Sequence, residues 1–387
     1  MMPNTCSRRK FVGTLGAAAG VWLARPVLGW ARPTPAGSAG RVAIGKCHEY
    51  GPQVAEALAS LFDQLGGLDG LVRGKTVAIK LNLTGGPDNR LGQTPPELTH
   101  WVHPDVVAAT VHLLGKAGAQ RIRVLESPMG TAQPLEEFML QAKWDPHDFL
   151  SAAPRVEFEN TNCLGQGKKY SRLWVPGGGL MFNGYDLNHS YEDCDVFVSV
   201  AKLKEHSTAG VTLSIKNCFG ITPCTIYGQG AGQDEPSLVP KGGRAMLHDG
   251  KRLPSKSAPS PLAAYSSKDP GFRVPRVTAD LVAARPIHLA VIDGIHTMTA
   301  GEGPWTGRNK PVQPGVLVAG TNCVATDAVC TALMGFDPMA DRGTAPFEKC
   351  DSTLKLAEQL GLGTRDLNRI EVLGTPIAEA RMNFRSV

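Results

Sequence analysis

Apolar residues along this chain fall into short continuous runs separated by stretches with helical spacing. Residues 42–45 form the first strand candidate, and 54–65 the first helix. A β-rich run, 76–83, follows between glycines. His103-Pro104-Asp105 opens a second helix with proline in its first turn. Val106, Val107, Thr110, Val111 and Leu114 keep helical spacing there, and Gly118 ends it. Residues 121–126 are the next strand. Strand, helix, strand in this order is a βαβ unit, which feeds a parallel sheet.

Further along, the pattern predicts a helix over 135–142 and a strand over 156–159. Segments 173–175 and 179–182 read as a hairpin around Pro176-Gly177-Gly178. Residues 195–201 are continuously apolar, as a strand covered on both faces requires. Residues 228–275, rich in Gly, Pro, Ser and Lys, read as a long excursion or flap. Order returns with a helix near 277–284 and a strand over 287–292. A strand (315–319), two helices (324–334 and 354–360) and a last strand (369–373) complete the pattern. The expectation is an α/β fold: a mostly parallel sheet with helices on both faces, in one lobe or in two lobes around a cleft. The domain boundaries follow as 41–387, with a core over 75–335.

The first residues do not join this pattern. Ser7-Arg8-Arg9-Lys10-Phe11-Val12 precedes a moderately apolar stretch that Arg25 interrupts, too short for a membrane span. Twin arginines before a weak apolar region predict a twin-arginine signal over 1–31, followed by a Pro/Gly/Ala-rich linker over 32–40. The competing reading is a chance arginine pair on an ordinary signal or an uncleaved anchor. Export by this route implies a periplasmic or secreted protein, the twin-arginine translocase as a partner, and no membrane contact after cleavage.

Composition narrows the class. With 42% hydrophobic and 19% charged residues, the chain is globular rather than disordered. A net charge of +5, spread along the chain without a basic run, argues against nucleic acid and weakly for anionic ligands. Of nine cysteines, only Cys6 lies in the signal, and the other eight contain no CxxC. Some could pair in an oxidising compartment, with Cys218 and Cys224 the closest in sequence although sequence does not show connectivity, and most are expected to be buried small hydrophobes.

The densest chemistry follows the buried run ending at Lys202. In open α/β sheets ligands bind beyond the carboxyl ends of the strands. Lys202, Lys204 and His206 belong there, and Ser207 or Thr208 is placed to cap a helix running through Lys216. Crowded cations either lower one another's pKa or take an anionic partner. Lys80 and Asn82 end another strand and are expected at the same crevice. Glu126 could orient a lysine, and Asp293 ends the strand 287–292. His103 caps a helix or contributes to the site, and His248 could close over a ligand. No HExxH or other local metal spacing is present.

Several separated motifs resemble the domain-of-unknown-function family 362. They are Val77-Ala78-Ile79-Lys80-Leu81-Asn82, Lys202-x-Lys204-x-His206 running to Lys216-Asn217-x-x-Gly220, Asp293-Gly294 with Gly301-x-Gly303-Pro304, and Ala325-Thr326-Asp327. Some members of that family carry ferredoxin-like cysteine motifs, which this chain lacks. The run from His206 to Lys216 is also similar in kind to the nickel-pincer lactate racemase family. That resemblance implies a proton-transfer role for His206 and a cofactor-bearing role for Lys216, with Asn217 beside it. The family's second catalytic histidine and its downstream nickel-ligand histidine have no counterpart at like spacing.

Together these readings predict an exported enzyme acting on a small anionic substrate: a hydroxy acid, sugar acid or phosphate. Lys202, Lys204, Lys80, Asn82 and Asp293 would surround it, with acid–base chemistry of an isomerase or racemase kind. Two other readings remain at this level: a non-catalytic periplasmic anion-binding protein, and a redox protein associated with an iron–sulfur or other metal centre, nickel included.

Overall fold

The computed structural model describes residues 40–164, 169–263 and 267–386. The twin-arginine segment and all of the linker except Gly40 lie outside them.

Eight strands make one sheet. Along the chain they are β1 (Gly40–Lys46), β2 (Thr76–Lys80), β3 (Arg121–Glu126) and β4 (Val156–Asn160). After a hairpin of β5 (Tyr170–Trp174) and β6 (Gly184–Asn188) comes β7 (Val196–Lys202), then a small ribbon of β8 (Glu205–His206) and β9 (Gly210–Val211). β10 (Leu289–Gly294) precedes another short pair, β11 (Thr297–Met298) and β12 (Pro311–Val312). β13 (Val316–Gly320) and β14 (Ile370–Gly374) follow. The spatial order is β14-β1-β13-β10-β7-β2-β3-β4. β4, β3, β2, β7 and β10 are mutually parallel, and β13 is antiparallel to both β10 and β1. The described residues from Gly40 onward are built on this one large sheet, with the β5–β6, β8–β9 and β11–β12 pairs separate from it, and of the two predicted arrangements the single lobe is observed.

Both faces of the sheet are covered, which is why β7 carries no exposed residue. On one face Val77, Ile79, Val198, Val200 and Val291 pack with Val54, Leu58, Val106, Val107 and Leu114, from the helices Gln53–Gln64 and Pro104–Lys116. On the other, Ala201, Ile292 and Val318 pack with Ala325, Ala328 and Val329 of the helix Cys323–Leu333. His103 caps Pro104–Lys116, its Nδ1 accepting from the Asp105 N–H at 3.2 Å.

Four expectations are corrected. Segment 179–182 is not a strand: the Leu180, Met181 and Phe182 N–H groups donate to the Asp280 carboxylate, so the second hairpin strand starts only at Gly184. The helix predicted near 277–284 begins earlier, at Pro270, where Asp269 caps it. No helix runs from Ser207 to Lys216. The chain there makes the β8–β9 ribbon and turns through Gly210 (φ +77°) and Leu213 (φ +47°) before the short helix Leu213–Asn217. Leu213 holds a left-handed conformation that side chains disfavour; the fully buried Asp327 fixes the next two residues, accepting from Ser214 N–H at 3.0 Å and Ile215 N–H at 2.8 Å. Finally, Cys218 and Cys224 are unpaired, as are the other six cysteines of the described residues.

Candidate functional site

The parallel strands β2, β3, β7 and β10 end at one edge of the sheet, so Lys80, Glu126, Lys202 and Asp293 end side by side. Strand alternation then separates them. Lys80 pairs in register with Ser199, and Lys202 lies three residues beyond Ser199, hence on the opposite face. The predicted lysine cluster is therefore two clusters.

On the Lys202 side every charge is satisfied internally. Lys202 Nζ donates to Asp293 Oδ2 at 2.9 Å, to the Glu97 carbonyl at 2.9 Å and to the Tyr50 hydroxyl at 3.0 Å. Tyr50 in turn donates to Asp293, and its ring stacks on His103 at 3.5 Å. Lys204 Nζ donates to the carbonyls of His100 (2.6 Å) and Glu302 (3.0 Å). Both lysines are fully buried, and desolvation lowers their pKa values, Lys204 strongly. Desolvation rather than mutual repulsion is the leading cause. Lys202, Lys204 and Asp293 are not among the residues that line the cavity; they brace the strand ends behind it.

The other side opens into a cavity of about 490 Å³. Lys80, Asn82, Glu126, His206, Lys216, Asn217, Arg244, His248 and Glu302 line it, with Phe219 on its wall and Met129 and Trp305 half-exposed. The predicted meeting of the Lys80–Asn82 strand end with the His206–Lys216 segment is present. Lys80 is committed to structure: its Nζ donates to Glu126 Oε1 at 2.5 Å and to the Leu81 carbonyl at 2.6 Å. Asn217 ties this pair to β7, its Nδ2 donating to Ser199 Oγ at 3.0 Å. Asn82 leaves its Oδ1 buried without a partner among the described residues.

Lys216 is different. Among the described residues its Nζ has no hydrogen-bond partner, and it lies 4.2 Å from the centroid of the Phe219 ring. Desolvation first, opposed by the Glu302 carboxylate and reinforced by repulsion from Arg244 and Lys80, brings its pKa down to about 7. At neutral pH a substantial fraction of this amine is uncharged.

The two histidines have opposite tautomers, fixed by their Nδ1 partners. His206 Nδ1 accepts from the Thr208 N–H at 3.1 Å, so its neutral ring carries the proton on Nε2. His248 Nδ1 faces the Arg244 carbonyl at 2.9 Å, which can only accept, so that ring has a bare Nε2. Burial and the neighbouring Lys216 push both pKa values down, His248 to about 4. Both rings are neutral at pH 7, one a donor and one an acceptor.

Arg244 was not singled out by the sequence, where it sits in a Gly-rich excursion with no motif around it. The excursion folds back and the short helix Ala245–His248 delivers both Arg244 and His248. Arg244 is anchored by the carbonyls of Thr222 (2.7 Å), Ser127 (2.9 Å) and Gly220 (3.1 Å), through Nε and Nη2. Nη1 has no protein partner among the described residues. Glu302 was legible only as part of a Gly-Pro loop. It binds Ser207 and Trp305 and faces His206 Nδ1 at 3.7 Å; burial works to raise its pKa, and the Ser207 and Trp305 hydrogen bonds help to hold it lowered.

Among the described residues no group of three or more His, Cys, Asp or Glu side chains could hold a metal ion.

Fold and site together define an α/β protein with a basic, histidine-lined cavity at the carboxyl edge of a parallel sheet. The chain belongs to the family described as a domain of unknown function, DUF362, whose model matches residues 77–332. A thylakoid-associated protein of Synechocystis sp. is 26% identical over 324 residues, covering 81% of this chain and 77% of that protein. Among solved structures, the lactate racemase apoprotein of Thermoanaerobacterium thermosaccharolyticum matches with a TM-score of 0.35 and 12% identity, covering 68% of this chain and 51% of that one. The chain thus spans about half the length of that structure.

Proposed function

We propose that the chain is an exported enzyme that binds a small anion in this cavity and moves protons with its two histidines. One observation carries the reading: the Nε2–H of His206, the bare Nε2 of His248, the amine of Lys216 and the guanidinium of Arg244 belong to residues lining one cavity. A donor and an acceptor held in opposite tautomers suit proton delivery and removal on one substrate. Arg244 is a permanent cation with an uncommitted nitrogen, which suits a carboxylate or phosphate. The unpaired Asn82 Oδ1 suits a hydroxyl or amine on the same ligand.

Calorimetric titration with a panel of hydroxy acids, sugar acids and phosphates tests this. Binding should fall at least tenfold in Arg244→Met, and turnover of the bound ligand should vanish in His206→Gln with binding retained. Binding without any product would leave a non-catalytic anion-binding protein. No binding to any of the panel would reject the cavity as an anion site. Export is tested separately: Arg8→Lys with Arg9→Lys should retain the chain in the cytoplasm, and unchanged export would remove the twin-arginine reading.

A further inference from the structure

We infer that Lys216 is a nucleophile that forms an imine with a carbonyl-bearing acid, so that the cavity's substrates are 2-oxo or aldehyde acids. The inference rests on the anion-binding reading above and adds the class of substrate and the bond it forms.

Four buried lysines surround this sheet edge, and three are held by hydrogen bonds. Lys80 is held by Glu126 and the Leu81 carbonyl, Lys202 by Asp293, Tyr50 and the Glu97 carbonyl, and Lys204 by two carbonyls. Lys80 and Lys202 are held as ammonium donors by their carboxylates, and Lys204, which spends two N–H groups on carbonyls, is not a cavity-lining residue. Lys216 Nζ has no such partner among the described residues and belongs to a cavity-lining residue. An amine becomes a nucleophile when its environment favours the neutral form. Burial first, and then the Arg244 and Lys80 cations, favour it here against the opposing Glu302 carboxylate, in keeping with a pKa near 7. Once an iminium forms, the same ring face 4.2 Å away suits its delocalised charge.

The step balances with no outside reagent beyond a solvent proton. The Lys216 lone pair adds to the carbonyl carbon as the C=O π pair moves to oxygen, toward which the neutral His206 Nε2–H can donate a hydrogen bond. The two amine protons pass in turn to that oxygen, with the bare His248 Nε2 as their carrier, the C–O bond breaks with water leaving as the C=N bond forms, and the imine nitrogen takes a proton from solvent to become the iminium. No electrons are exchanged. The carbon next to the iminium becomes acidic, and the bare Nε2 of His248 is the base nearest in kind to accept its proton. Arg244 would hold the carboxylate, leaving the carbonyl for Lys216.

The test is borohydride trapping on the full chain with pyruvate and with glyoxylate, followed by intact mass and peptide mapping. The expected result is one reduced adduct per chain on Lys216, none with lactate, and none in Lys216→Arg. The trapping rate should rise with pH and level off above about 7. Mapping uses the unaltered chain, so the outcome does not depend on a variant folding. Binding of pyruvate and glyoxylate without an adduct, or adducts spread over surface lysines, overturns the imine and leaves the anion site standing. Absence of both binding and adduct overturns the imine, while the anion reading stands or falls on the panel of hydroxy acids, sugar acids and phosphates.

Discussion

Ser207 and Glu302 are joined twice: the Ser207 N–H donates to Oε2 at 2.9 Å and the hydroxyl to Oε1 at 3.1 Å. The contact ties the turn after His206 to the loop that carries Trp305, whose Nε1 donates to the same carboxylate at 3.1 Å. The Glu302 side chain thus links the His206 turn to the mouth of the cavity, alongside the Lys204 bond to its carbonyl and the Glu205 bond to the Ala300 N–H. Glu302→Ala should release Trp305, seen as a red shift of tryptophan emission, and cost about 1–3 kcal/mol in urea unfolding. Unchanged emission would mean the loop is held by other contacts.

Gly85 meets the other side of that tryptophan. It has φ +82°, and a Cβ there would come within 2.9 Å of the Trp305 ring and 2.6 Å of Asn89 Oδ1. Gly85→Ala should displace Trp305 and weaken ligand binding without altering the histidine tautomers. Tryptophan emission and titration calorimetry read the two effects separately.

The Lys80–Glu126 pair is almost wholly buried, with side-chain exposures of 2% and 4%. Removing one partner leaves an unpaired charge in the interior. Glu126→Ala should cost about 3–5 kcal/mol. Lys80→Met combined with Glu126→Gln should cost less than the sum of the single changes, because neither charge is then left buried without its partner, although the one glutamine oxygen can keep only one of the two N–H donors, Leu83 on Oε2 or Ser127 on Oε1. A double-mutant cycle in urea measures the difference, and simple additivity would contradict a direct pairing.

His248 couples stability to pH. Its pKa is lowered from 6.5 to about 4, so between those values the unfolded chain binds a proton that the folded chain does not. Its contribution is complete above about pH 6.5 and is lost as the pH falls toward 4. The difference in unfolding free energy between His248→Gln and the parent chain should shrink on going from pH 7.5 to pH 4.5, by about 2 kcal/mol. A constant difference would show that the imidazole titrates normally.

Asp327 supports the Lys216 segment from behind. Its carboxylate accepts from Ser214 N–H, Ser214 Oγ–H and Ile215 N–H. Asp327→Ala strands these buried donors and should cost about 3 kcal/mol or more. Thermal and urea unfolding read the cost; imine trapping, if Leu213 relaxes, should slow as well.

Strands were legible because buried β segments read as continuous apolar runs bounded by glycine, and helices because Val106, Val107 and Leu114 keep a helical period. The failures came where side chains intercept backbone groups. Asp280 takes the N–H groups of 180–182 and Asp327 those of 214–215, and both partners are remote in sequence. Local pattern holds no trace of either bond.

The same division holds for the site. Apolar runs and turn residues fixed an α/β sheet, and the position of polar residues just past those runs marked its carboxyl edge as the place for chemistry. Which polar residues share a cavity is a matter of strand parity and of long-range folding back. Parity turned Lys202 and Asp293 to the face away from Lys80. The excursion brought Arg244 and His248 over Lys216. Side-chain alternation becomes informative only once register between strands is known, and register is a relation between segments that no single segment contains.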